Sequence, residues 1–269
     1  MRKLIGVFCL FTASTAFAWG PTGHRAVGEI ASRFLSIETM SKVHQILDGQ
    51  SLAKVSTWPD EIKSDPTNYS HTYNWHYTTW QSTAHTHSHE HENDESGYLL
   101  KSVKEQVEIL KNSQATKAQK AFAIKFIVHL IGDAHMPFHV GNGNDRGGNY
   151  CKVTFHSKAF NLHALWDEGM IDFNGLSFTE FAKFIREGKT LSDIQKARQG
   201  EMLDWVKESK DILPSLYPEG AAEYCAQNAP AEKLPKLGYE YSYKFMPVIE
   251  QRIFEAGVRL ALVLNDSLK

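Results

Sequence analysis

Histidine and aspartate recur together at a fixed spacing in this chain: His129 with Asp133, then His163 with Asp167, each pair four residues apart. On a helix, residues i and i+4 share a face, so each pair projects together. The stretch Phe122 to Ile131 is almost wholly apolar, and an unpaired ionisable group is costly to bury there. A metal ion removes that cost, because imidazole nitrogen and carboxylate oxygen are both good zinc ligands. One pair alone reads equally well as a structural hydrogen bond. Two pairs, with His139 just past the first, point to a metal centre.

The N-terminal half adds weaker candidates. "TWPDEIK" places Asp60 at the start of a helical turn behind Pro59, and "NWHY" places His76 in an extended segment that points Trp75 and Tyr77 away from it. Taken singly, an Asp after Pro is commonly a helix cap and a lone His a satisfied core residue. "WGPTGH", Trp19 to His24, is different in kind. If Trp19 begins the mature chain, its α-amine, with a pKa of about 7.7–8.0, can lose its proton and bind a metal. The Trp19 carbonyl would close a chelate, and His24 would return to the same ion across the Gly-Pro-Thr-Gly turn.

The N-terminus supports that condition. Arg2 and Lys3, the apolar run Leu4 to Phe11 and the box Ala16-Phe17-Ala18 have the form of a cleavable secretory signal over residues 1–18. The apolar run is about half the ~20 residues that span a bilayer. Cleavage leaves 251 residues and takes the formal charge from −2 to −4. No basic block marks an electrostatic surface for duplex nucleic acid. Cys151 and Cys225 remain of the three cysteines; in an exported, secreted or periplasmic protein a disulfide is the default reading, with two buried free thiols the alternative.

These residues must be positioned mainly by helices. Apolar residues recur at helical spacing over 23–36, 38–48, 97–111, 118–135, 162–171, 178–186, 201–213 and 239–267, the last with an expected bend at Pro247. Only Trp75–Thr79 and Tyr150–His156 look like strands. With no repeat and no linker, residues 19–269 read as one mainly α domain. Two segments stand apart: the histidine-rich "AHTHSHEH", Ala84 to His91, and the glycine-rich "GNGNDRGGN", Gly141 to Asn149. The sequons at Asn68 and Asn265 are glycosylation acceptors where the host glycosylates.

Taken in order, Trp19-Gly20, Gly23-His24, Trp58-Pro59-Asp60, Trp75-His76, "HLIGDAHMPFH", "GGN" and "NLHALWD" resemble the zinc-dependent single-strand-specific nucleases of the S1/P1 type, which share a fold with bacterial zinc phospholipases C. The resemblance implies three zinc ions. Asp60, His76, His129 and Asp133 would hold one, His139, His163 and Asp167 a second, and Trp19, His24 and Asp133 a third. It further implies hydrolysis of single-stranded DNA and RNA to 5′-phosphate products, 3′-nucleotidase activity and a monomer with no protein or membrane partner.

Within that reading Asp60 orients the attacking water, and Lys63 neutralises charge where the family more often has arginine. Asn149 contacts phosphate or a ligand carboxylate, or is a plain turn residue. Tyr77 matches the family's base-stacking aromatic, whereas Thr79 stands where an aspartate is common, which bears on base preference. The histidines 85, 87, 89 and 91 match no ligand; they form a zinc-capturing arm or a solvated loop. Two rivals remain: a phospholipase C, disfavoured by Asp167 in place of glutamate and by the polar glycine-rich loop, and a non-catalytic zinc-binding protein, which leaves three carboxylates unexplained.

Overall fold

A capping box starts the central helix: Thr116 accepts from the Gln119 amide, and the Gln119 side chain accepts from the Thr116 amide at 2.8 Å. The computed structural model describes residues 19–79, 97–141, 144–225 and 234–269. The expected signal at 1–18 and the histidine-rich stretch lie outside the described residues. Five helices precede the central one in the first described segment: α1 (Pro21–Ser32), α2 (Ile37–Ile46), α3 (Leu52–Val55), α4 (Trp58–Glu61) and α5 (Pro66–Tyr69). A 3₁₀ helix then runs over Ser70–His76. Next come α6 (Leu99–Lys111), the central α7 (Lys117–Ala134) and a 3₁₀ turn at Pro137–Val140.

Strands β1 (Lys152–Phe155) and β2 (Lys158–Asn161) form an antiparallel hairpin, and β3 (Lys236–Leu237) joins β1 in parallel. Its two-residue turn, His156-Ser157, has positive φ at both positions, which matches the right-handed twist of a hairpin. Beyond it lie α8 (Leu162–Ala164), a π-helical turn at Leu165–Gly169 and α9 (Met170–Phe173). The chain ends with α10 (Phe178–Arg186), α11 (Leu191–Ala197), α12 (Met202–Ile212), α13 (Ala221–Tyr224) and α14 (Tyr239–Ser267).

The fold is mainly α, as the sequence predicts. The C-terminal half of α7 is buried on every side, from Phe126 through Ala134, so it is a core helix and not an amphipathic surface one. Helices α1 and α14 pack on it and on each other; Ile30 of α1 seats against Gly257 of α14, both in the core. Cys151 and Cys225 are joined in a disulfide. The Asn265 amide donates to Phe34 O at 3.0 Å and accepts from Ser36 N at 2.9 Å, so this sequon asparagine is engaged in tying α14 to the α1–α2 turn.

Two expectations change. Trp75–Thr79 is not a strand: the 3₁₀ helix runs through His76, and the next residues find no ladder partner. Thr78 N bonds instead to His139 O at 2.9 Å. The Gly-Pro-Thr-Gly turn is the first turn of α1, because Pro21 at its start has φ set for a helix and no N–H to lose. Helix α11, in a short polar stretch, and strands β2 and β3 escaped the pattern reading. Pro247 lies inside α14 without ending it.

A Cβ at Gly257 would lie 2.5 Å from Ile30 Cγ2 and 2.6 Å from Ile30 Cβ, atoms of a stiff, buried residue. Gly257→Ala gains about 1 kcal/mol of helix propensity, but the clash outweighs it. A fall in Tm of about 2–8 °C is expected by differential scanning calorimetry.

Candidate metal centre

Seven separate elements deliver the His and Asp side chains to one place. His24 comes from α1, Asp60 from α4, and His76 from the end of the 3₁₀ helix. His129 and Asp133 come from α7, His139 from the following 3₁₀ turn, and His163 and Asp167 from α8 and the π-turn. They assemble as three groups: Asp60 with His76 and His129, His24 with His129 and Asp133, and His139 with His163 and Asp167. Within each group the candidate ligand atoms lie within 4.8 Å of one another. A fourth group, Asp145 with Cys151 and Cys225, has its sulfurs committed to the disulfide.

Asp133 is the hinge of the arrangement. Its Oδ1 lies 3.4 Å from His24 Nε2, while Oδ2 lies 3.3 Å from His76 Nδ1 and 3.4 Å from His129 Nε2. One carboxylate thus faces two different sets of imidazoles. Asp60 Oδ1 completes the second set, 3.7 Å from His76 Nδ1 and 3.5 Å from His129 Nε2. Across the cleft His163 Nε2 is 3.1 Å from Asp167 Oδ2. The π-turn around Asp167 is a local register change of the kind found at functional sites.

Backbone carbonyls orient the rings. His129 Nδ1 donates to Ser56 O at 2.7 Å, His139 Nδ1 to His76 O at 2.5 Å, and His163 Nδ1 to Gly147 O at 2.6 Å. Each bond puts the proton on Nδ1 and turns the Nε2 lone pair inward, as an imidazole ligand requires. Sequence reasoning missed these carbonyls, because a backbone acceptor carries no residue-type signal. It also missed Gly132: a Cβ there would lie 2.9 Å from His24 Nδ1, so only glycine lets α1 bring His24 against α7. His24 then stacks on His129, ring centroids 3.8 Å apart.

The other expected residues are placed as follows. Trp19 is fully buried beside Gly132 and Gly23, and Gly20 N donates to Asp167 O at 2.8 Å. Lys63 Nζ donates to Asp60 Oδ1 at 2.7 Å. Asn149 Nδ2 donates to Arg146 O at 2.8 Å, a turn contact. Tyr77 follows His76 directly and is half-buried, its hydroxyl donating to Asn74 Oδ1 at 3.1 Å; Thr79 lies two residues on, also partly buried.

The donor set fits a cation. Both His24 ring nitrogens, His139 Nε2, both Asp133 oxygens and Asp167 Oδ1 are buried without a hydrogen-bond partner, an arrangement that is costly unless an ion satisfies it. Burial holds His24, His76, His129 and His139 below the usual imidazole range, so they stay neutral and lone-pair bearing. Burial first, then Asp60, raises Asp133 well above the carboxylate range. Burial pushes Asp167 up to about 6, against the pull of His163.

A raised carboxylate binds its proton more tightly when folded. In the metal-free chain the Asp167 contribution therefore favours folding at low pH and is lost as pH rises from about 4 through 6. A cation displaces that proton. Zinc titration of metal-free protein, run calorimetrically in two buffers of different ionisation enthalpy, is expected to release roughly one more proton at pH 5 than at pH 7.5. Asp167→Asn should reduce the difference.

The sequence profile of the S1/P1 Nuclease family matches residues 19–269. The chain is 27% identical to Endonuclease 2 of Arabidopsis thaliana over 98% of its own length and 96% of the relative's. It is 28% identical to Nuclease S1 of Aspergillus oryzae, covering 97% and 96%, and 28% identical to Nuclease P1 of Penicillium citrinum, covering 92% and 97%. With a match that spans everything from the buried Trp19 to the C-terminus, the chain belongs to the S1/P1 nuclease family.

Proposed function

We propose that this protein is a zinc-dependent endonuclease that hydrolyses single-stranded DNA and RNA to 5′-phosphate products and also acts on 3′-nucleotides. It is exported, cut after Ala18, and works as a monomer whose single domain is residues 19–269. The observation that carries the reading is Asp133, a fully buried carboxylate facing two sets of imidazoles in a chain of this family. Asp60, His76, His129 and Asp133 hold one zinc, and His139, His163 and Asp167 a second. Trp19, through amine and carbonyl, holds the third with His24 and Asp133. When bound, zinc supplies Lewis acidity toward phosphate oxygens and makes hydroxide available near neutrality.

The chain's own residues do the rest. The Asp60 carboxylate is less deeply buried than Asp133 and is steadied by Lys63; it accepts a hydrogen bond from the attacking water and aims it at phosphorus. Water adds, the bond from phosphorus to O3′ breaks, and the products are a 5′-phosphate and a 3′-hydroxyl. Lys63 offsets charge on the phosphoryl oxygens as a point charge, without the two-pronged geometry of arginine. The Tyr77 ring offers a stacking face to an unpaired base, which a duplex does not present. Asn149 steadies the glycine-rich loop whose Gly147 carbonyl orients His163.

The test is a panel of single-stranded DNA, RNA, duplex DNA, a 3′-nucleotide and phosphatidylcholine, each with chelator and after zinc is restored. Chelator-sensitive cleavage of the single strands and the 3′-nucleotide, with duplex and lipid untouched, is expected. Lipid cleavage without nucleic-acid cleavage overturns the reading. Asp60→Asn should lower kcat by about 100-fold or more. Gly132→Ala should keep the far-UV spectrum while zinc per chain falls from three to two, measured by mass spectrometry, because α1 can no longer bring His24 to its ion.

A further inference from the structure

We propose that Arg252 and Arg259 of α14 are positioning residues for the metal centre: from the far end of the chain they hold the turn between Asp133 and His139. The proposal rests on reading those two residues as zinc ligands. Helix α7 ends at Ala134, and the last carbonyls of a helix have no donors within it. Gly132 O and Asp133 O accept from the next amides, His135 N and Met136 N, both at 3.0 Å, and the two carbonyls beyond them take donors from other elements. Ser209 Oγ donates to Ala134 O at 2.7 Å, and Arg252 Nε to His135 O at 3.4 Å. His135 Nδ1 donates back to Ile131 O at 2.7 Å. Its Nε2 is therefore an acceptor, and Arg259 Nη1 supplies the proton at 2.9 Å.

Both guanidiniums are almost wholly buried, at 3% and 2% exposure. Glu208 takes Arg259 at 2.6 and 2.8 Å and Arg252 at 2.7 Å, and Glu255 takes Arg252 at 2.6 Å. Remaining donors reach Trp205 O, Ser209 Oγ and Ala197 O. The guanidiniums are buried while the Glu208 side chain they share is 42% exposed, and burying a charge against a partner is often no better for stability than apolar packing of similar volume, so packing alone does not call for this network. Its distinctive output is direction: rigid forks aimed at the carbonyls and ring that follow Asp133, with positive charge at the negative end of the helix.

The test measures zinc loss from the loaded, full-length protein into excess chelator, followed with a zinc-sensitive dye, alongside Tm. Arg259→Gln and Arg252→Lys should release zinc faster by up to about ten-fold, the lower end of what losing a ligand's own hydrogen-bond partner does, because they act through His135. Ser209→Ala should move the same way by less, and decides the matter if the arginine variants do not fold. Asn265→Ala, which unties the same helix from Phe34 and Ser36, should lower Tm and leave zinc release unchanged. Arginine and serine variants that lower Tm without faster release, or an equal acceleration in Asn265→Ala, overturn the proposal. Asp133→Asn separates the two levels. If it holds zinc like the wild type, the ligand reading fails and takes the proposal with it. If it loses zinc while the arginine variants keep theirs, only the positioning role fails.

Discussion

A carboxylate with no solvent exposure, in the last turn of a buried helix, is the constraint to which the rest of this molecule answers. Asp133 sits among neutral imidazoles; its burial and the carboxylates Asp60 and Asp167 raise its proton affinity, against the opposing charge of Lys63. Alone in a medium of low polarity it is costly. It is held where its two oxygens face different histidines, Oδ1 toward His24 and Oδ2 toward His76 and His129. It is carried by α7, whose C-terminal half is buried on all sides.

The histidines then have to present lone pairs inward, which their residue type does not ensure. Three backbone carbonyls settle the tautomers, and each comes from a segment distant in the chain: Ser56 for His129, His76 for His139, Gly147 for His163. The second of these ties two ligand groups together, since the main chain of His76 orients His139, and Thr78 N returns a bond to His139 O. The site is consequently one unit. A displacement of the 3₁₀ helix that carries His76 also rotates the ring of His139.

Much of this was legible in advance because the physics behind it is local. A helix repeats its faces every few residues, so the pairs His129–Asp133 and His163–Asp167 announced themselves by spacing, and the long helices by their apolar stripes. Short-range reasoning failed where long-range partners decide. Trp75–Thr79 has strand-like residues but no ladder partner among the described residues, so it became the end of a 3₁₀ helix with two hydrogen bonds to His139. The second half of the Asp167 segment winds as a π-turn, a register change with no mark in the spacing. Gly132 reads as an ordinary small residue in "HLIGD" until α1 is placed against it.

By itself, then, the amino-acid sequence marked out the groups that could hold a metal and put His129 and Asp133 on one face of one helix, because residue type and helical period are properties of neighbours along the chain. The tertiary structure alone decided that these groups converge. It also decided which oxygen of Asp133 faces which ring, which nitrogen of each histidine is free to bind, and that two arginines from the last helix cap the end of the central one. Those are relations between residues far apart in the chain, such as His135 and Arg259 at 124 positions, and they exist only after burial has selected one packing among many.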